Sequence, residues 1–204
     1  MHSSTKKVFF GDHVFFVSEN VYEPAEDSFL FAENLVVREG DVVLDMGTGC
    51  GILGVVAAEK AGRVVAVDVN PYAVRYAKKN AKLNGVSDKI FFVQGDLFTA
   101  IRFGGRFDLV LFNAPYLPSE SAEDASWLGR AWSGGVAGRQ VVDRFISEVP
   151  KYLKQGGRVF LMQSTLSDVG ETLRRIGENG LKASVVAERD LPFFEAIVLV
   201  KAER

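Results

Sequence analysis

The sequence predicts a doubly wound α/β domain of seven strands, mostly parallel, with an antiparallel last strand, preceded by a short N-terminal hairpin and helix. Three observations carry this. From Asp41 onward, short β-branched apolar runs alternate with helix-length amphipathic segments. A glycine-rich turn follows the first of these strands and opens a helix. The last two strand patterns are joined only by "DLPFF", whereas a parallel crossover needs about a dozen residues, so they pair antiparallel.

The elements follow in order. "KVFFGDHVFFVS" has two apolar pieces around Gly11 and Asp12, a small hairpin. A helix is expected from about Ala25 to Val37. "DVVLD" (Asp41 to Asp45) is a strand, Ile52 to Ala61 a helix and "RVVAVD" (Arg63 to Asp68) a strand. Asn70 caps the next helix with Pro71 at its first position, and Asn84 and Gly85 stop it after Leu83. "KIFFVQGD" and "FDLVLFN" are the third and fourth strands of this series. A Gly- and Trp-rich loop is expected over about Pro118 to Gly138, then a helix to about Leu153 and the strand "GGRVFLMQS". A helix from Asp168 to Glu178, ended by Asn179 and Gly180, precedes the final hairpin of "KASVVAER" and "EAIVLVKA".

The 204 residues fit one domain, and 48% apolar with 25% charged residues is an ordinary globular mix. No apolar run reaches a membrane span, and "MHSSTKKVFF" lacks the apolar core of a signal peptide, so the expected location is the cytoplasm. A net charge of −2 with scattered Lys and Arg argues against nucleic acid as a stable partner. Cys50 is alone, and with only His2 and His13 beside it no His/Cys metal site is expected.

The turn "VVLDMGTGCGILG" reads in two ways. Gly49, Gly51 and Gly54 fit G-x-G-x-x-G, with Asp68 about 20 residues on, as a nicotinamide dinucleotide site asks. Read from Asp45, it is D-x-G-x-G-x-G with Gly47, Gly49 and Gly51, which resembles the cofactor loop of class I S-adenosylmethionine (SAM) methyltransferases. Charge decides. A carboxylate at Asp45 repels a pyrophosphate and attracts the sulfonium and ammonium of SAM. Asp68 is placed to accept ribose hydroxyls. Asp96, after the third strand, is placed for the adenine amino group, with Leu97 against the ring.

The fourth strand ends in Asn113, Ala114, Pro115 and Tyr116, at the sheet edge where ligands of open α/β folds bind. This resembles the [Asn/Asp]-Pro-Pro-[Tyr/Phe] signature of methyltransferases acting on a conjugated nitrogen. The Asn113 side-chain oxygen and the Ala114 carbonyl can hold the two N–H groups of such a nitrogen, and Tyr116 can stack on its plane. Ala114 replaces the first proline of that signature but keeps the carbonyl, and Pro115 still holds it extended. A simple strand-to-loop turn with an Asx bond is the competing reading of the same residues.

With both motifs placed, the chain resembles the HemK-type protein-glutamine N5-methyltransferases, in particular the short archaeal and eukaryotic branch acting on class I translation release factors. "VYEPAEDSFL" (Val21 to Leu30) and "AWSGGVAGRQVVDRF" carry that resemblance. It implies a single Rossmann-like methyltransferase domain over 1–204, with residues 1–40 an N-terminal extension and 41–204 the SAM-binding catalytic core. It implies a cofactor contact from Ser28, methylation of the glutamine in the release factor's Gly-Gly-Gln loop, and a small zinc-binding activator protein as heterodimer partner. It also implies that the helical docking domain of the bacterial branch is missing here. Methylation of an exocyclic base amine in tRNA, rRNA or DNA, methylation of protein lysine, and nicotinamide dinucleotide binding remain alternatives.

Overall fold

The computed structural model describes residues 5–119 and 126–204. Part of the loop expected over 118–138, residues 120–125, therefore lies outside the described residues. Strands β1 (Thr5–Phe10) and β2 (His13–Ser18) form a separate antiparallel hairpin. The central sheet holds β3 (Val42–Met46), β4 (Arg63–Asp68), β5 (Ile90–Gln94), β6 (Phe107–Asn113), β7 (Leu153–Ser164), β8 (Lys182–Asp190) and β9 (Ala196–Glu203). Their order is β5-β4-β3-β6-β7-β9-β8. The pairs from β5 to β7 are parallel, and β9 runs antiparallel to both β7 and β8. The last strand is thus antiparallel, as expected, but sits inside the sheet with β8 at the edge.

The chain winds outward from β3 through β4 to β5, then returns to the other side of β3 as β6. That reversal opens a crevice beyond the carboxyl ends of β3 and β6, the switch point where doubly wound folds bind ligands. Register carries Met46 alongside Phe112, so Gly47 and Asn113 leave the sheet side by side. Alternation along the strands feeds two cores. Val43, Leu109 and Leu111 face α1 (Glu26–Glu33), α2 (Ile52–Ala58) and α3 (Pro71–Leu83). Leu44, Val110 and Phe112 face α5 (Gln140–Glu148) and α6 (Val169–Glu178).

Several boundaries differ from expectation. Helix α1 ends at Glu33, where Asn34 caps it, and the β-branched pair Val36–Val37 does not extend it. Helix α5 stops at Glu148 because Pro150 cannot continue the hydrogen-bond ladder, and β7 begins already at Leu153. The expected loop contains a short helix, α4 (Trp127–Trp132), whose Ser126 cap accepts the Gly129 N–H at 2.9 Å.

The N-terminal hairpin docks through two asparagines of α3. Asn80 Oδ1 accepts the Phe16 N–H at 2.9 Å and its Nδ2 donates to the Phe16 carbonyl at 2.9 Å. Asn84 does the same at Val14, at 3.0 and 2.9 Å. The two amides cover the open edge of β2 as a neighbouring strand would. Asn80 Nδ2 also donates to the Cys50 carbonyl, which ties the hairpin to the glycine turn.

Candidate active site

A cavity of about 530 Å³ opens beyond the carboxyl ends of β3, β4 and β6. This is the size of a small-molecule or cofactor site. Ser28, Gly47, Gly49, Asp68, Asp96, Leu97 and all of Asn113, Ala114, Pro115 and Tyr116 line it. Of the residues expected in the site, only Asp45 and Gly51 are not in its wall.

The glycine turn follows from local geometry. Gly47, Gly49 and Gly51 have φ of 63°, 56° and 90°, a left-handed region that costs most other residues about 1–2 kcal/mol each. At Gly51 space matters too, because a Cβ there would lie 3.1 Å from the Cα and Cβ of Ala77. Gly51 therefore lets α2 start hard against α3, and its role is packing behind the wall rather than lining it.

Asp45 corrects the charge argument from the sequence. It is 1% exposed, and its Oδ2 accepts from the Thr48 hydroxyl at 2.5 Å. A Cβ on Gly54 would sit 2.8 Å from the same oxygen. The carboxyl braces the turn from behind instead of facing a bound cation. Burial pushes its pKa up to about 7, against the pull of hydrogen bonds from Thr48 and the Gly54 N–H. Its Oδ1 has no partner.

Asp68 does reach the cavity, and both oxygens are already oriented. Oδ2 accepts the Gly49 N–H at 2.8 Å and Oδ1 the Asn70 N–H at 2.9 Å. Each keeps a lone pair for a hydroxyl. Burial raises its pKa, with those two backbone donors opposing. Asp96 lines the cavity but also meets the Arg144 guanidinium of α5 at 2.8 Å, an ion pair that the sequence did not suggest. Leu97 lies in the wall with φ of 46°, a strained conformation for a leucine and a common mark of functional sites.

The densest polar cluster centres on Asp27, which the sequence reading left without a role. Asp27 Oδ1 accepts from the Tyr22 hydroxyl at 3.0 Å, the Ser28 N–H at 2.6 Å and the Ser28 hydroxyl at 3.2 Å. Its Oδ2 accepts from Asn113 Nδ2 at 2.9 Å and the Tyr116 hydroxyl at 3.3 Å. Asn113 Nδ2 also donates to Ser28 Oγ at 3.3 Å. Asn113 Oδ1 is buried and has no partner. Burial first, and the Asp27 charge second, push the pKa of Tyr22 and of Tyr116 far up, so both stay hydrogen-bond donors. A carboxylate in the first turn of α1 has the sequence signature of an ordinary helix N-terminus. The signal that would have separated it was adjacency: Asp27 and Ser28 stand on the buried face of α1, ahead of Leu30 and Phe31. Trp127 and Trp132 of α4 also wall the cavity, within a segment read only as loop.

The donor set fits SAM. The cavity offers carboxylates at Asp68 and Asp96, an apolar side chain at Leu97 and an orphaned acceptor at Asn113, and among the described residues Arg130 is the one lysine or arginine that lines it.

Comparison with known proteins agrees. The TRM5/TYW2 methyltransferase domain family matches residues 15–128, more than half of the chain. A Methanocaldococcus jannaschii relative that carries a provisional protein N5-glutamine methyltransferase name is 46% identical over 88% of this chain and 90% of its own. Human methyltransferase HEMK2 is 31% identical over 83% of this chain and 84% of its own. Among solved structures, E. cuniculi Mtq2 in complex with Trm112, responsible for methylating the termination factor eRF1, superposes with a TM-score of 0.70. It is 26% identical, over 91% of this chain and 99% of that one. The chain therefore belongs to the TRM5/TYW2 methyltransferase domain family and to the SAM-dependent HemK-type protein-glutamine N5-methyltransferases.

Proposed function

We propose that this chain methylates the side-chain amide nitrogen of the glutamine in the Gly-Gly-Gln loop of a class I translation release factor. The observation that carries the reading is Asn113. Its amide nitrogen is held by Asp27 and Ser28 while its oxygen, buried and unpartnered, waits for a donor. A buried acceptor without a partner costs about 1–3 kcal/mol, which an incoming N–H recovers.

An amide nitrogen is a poor nucleophile because its lone pair is delocalised into the carbonyl. Asn113 Oδ1 and the Ala114 carbonyl accept its two N–H groups. They align the lone pair and stabilise the positive charge that grows on nitrogen. Tyr116, anchored to Asp27 through its hydroxyl, lines the cavity and would stack on the planar amide. When bound, SAM supplies the electrophilic methyl group. Asp68 would offer its two oriented oxygens to the ribose, and Ser28, the backbone from Gly47 to Gly49 and the Leu97 side chain line the cavity that would hold the rest of it. The proton leaves the nitrogen after transfer, so no strong base is needed before attack.

The likeness to Mtq2, solved with Trm112, supports a heterodimer with a small partner protein, which we take to be the zinc-binding activator that the family resemblance implies. A cytoplasmic location follows from this role. Among the described residues no helix is long and apolar enough to cross a membrane.

The test is incubation with SAM and the cognate release factor, with and without the activator, followed by peptide mass spectrometry. A gain of one methyl group on the Gly-Gly-Gln peptide is expected. An unmodified peptide in the presence of the activator overturns the reading, and methylation of lysine or of a base amine in RNA or DNA redirects it.

A further inference from the structure

We infer that Asp27 is a positioning residue that fixes which face of the Asn113 amide is presented, and so makes the site select an N–H donor. The inference rests on the acceptor reading above.

An ionised carboxylate only accepts hydrogen bonds, so the atom of Asn113 facing Asp27 Oδ2 at 2.9 Å must be nitrogen. The second amide hydrogen goes to Ser28 Oγ at 3.3 Å. With both donors taken, Asn113 has only its oxygen left, and that oxygen is the orphan. A flipped amide would set oxygen against carboxylate and turn an N–H₂ toward the acceptor nitrogen, the wrong polarity for holding it. Asp27 is itself fixed from the other side. The Tyr22 hydroxyl and the Ser28 N–H both donate to Oδ1, and the Tyr116 hydroxyl adds to Oδ2. The cluster joins α1 to the end of β6, residues 86 apart in sequence. It is 6% exposed at Asp27, so water does not compete.

The consequence is a polarity code that can be inverted. In Asp27→Asn, the new carboxamide keeps its oxygen toward Ser28 and Tyr22 and turns its N–H₂ toward position 113. Asn113 then flips to accept it and loses its free oxygen. In Asn113→Asp, two carboxylates face each other. In the double variant the carboxamide at position 27 donates to the carboxylate at position 113, whose second oxygen again faces the acceptor.

The experiment is this double-mutant cycle, read as kcat and KM for the release factor together with calorimetric SAM affinity. Each single variant is expected to lose about 10²-fold in kcat, the scale of a misoriented reacting group. SAM affinity should change little. The double variant should turn over at least tenfold faster than either single variant. A single variant that does not fold while the double folds and turns over supports the inference equally. A double variant that fails to fold, or is no faster than the slower single, overturns it. Wild-type protein that leaves the release factor unmethylated defeats the acceptor reading instead, so the two failures are distinct.

Discussion

The two ends of the central sheet treat their polar groups in opposite ways. At the amino end charges are matched. Arg158, 2% exposed, pairs with Asp41 and donates to the Val36 carbonyl. Lys154 meets Asp108 at 2.7 Å, and the same carboxylate accepts the Val42 N–H. Burial pushes Asp108 up, yet the Lys154 and Val42 contacts outweigh it and hold its pKa below the usual value. At the carboxyl end, Asn113 Oδ1 and Asp45 Oδ1 are buried without partners, Leu97 is left-handed, and three glycines hold positive φ. Arg158 Nε is an orphan at the amino end, but its guanidinium is anchored through both terminal nitrogens. Hydrogen bonding at one end is consumed in holding the fold. At the other it is kept open for a ligand, at a cost in stability.

The contrast can be broken by substitutions at either end. The largest effect is expected from Asp41→Ala, which leaves Arg158 buried without its counter-charge. Denaturant melts should show a loss of about 3–5 kcal/mol, with turnover per folded molecule unchanged. A turnover loss of the same size would erase the division between the ends. Next comes Asn113→Ala, expected to lower kcat by about 10²–10³-fold, as for removal of one transition-state hydrogen-bond partner. Its thermal midpoint should fall only modestly, because removal of the orphaned acceptor offsets part of the loss of the Asn113 hydrogen bonds to Asp27 and Ser28. A rate within a few fold of wild type, measured in the steady state, would strip Asn113 of its assigned task.

A smaller effect concerns Asp45. Its pKa stands at about 7 in the folded chain against 3.8 as reference. Between those values the folded chain keeps a proton that the unfolded chain has lost, so stability falls as pH rises through that window. Asp45→Asn removes this term. The stability difference between variant and wild type should shift in favour of the variant from pH 4 to pH 7, and a pH-independent difference in urea melts would refute the assignment. The smallest effect is expected at Ala114→Pro. Pro115 already holds residue 114 extended, so turnover should barely change and stability should rise by about 0.4–1 kcal/mol at most. A large loss of activity would show that this loop needs freedom at 114.

Legibility in the sequence also divides along the sheet. Strands β4 and β6 and helix α3 run as their patterns say, because Asn70, Pro71, Asn84 and Gly85 act locally. The glycine turn and the Asn113–Tyr116 segment were legible because their residue types are unusual at a strand end. The Asp27 cluster was not, because it exists only when α1 meets the end of β6; the pattern within α1 puts Asp27 on the buried face but does not name its partner there. The position of Asp45 behind the wall was hidden for a similar reason. Which way its carboxylate turns depends on Thr48 and Gly54, residues of the turn that it braces. Helix α4 was missed because its six residues are too few to show a period.

The way the hairpin is attached sets an order of events in folding. Strands β1 and β2 can zip together alone in about 1–10 μs. Docking must wait, because the contacts to Asn80 and Asn84 span 64 and 70 residues and exist only once α3 has formed. Asn80 also donates to the Cys50 carbonyl, so one side chain links the docked hairpin to the glycine turn. On native-state hydrogen exchange, the Val14 and Phe16 amides, held from α3 by side chains alone, should open ahead of the buried amides of β3. Tyr22, Pro24, Asp27 and Ser28, the part of the cavity wall nearest the hairpin in sequence, are then expected to loosen with it while the sheet stays shut.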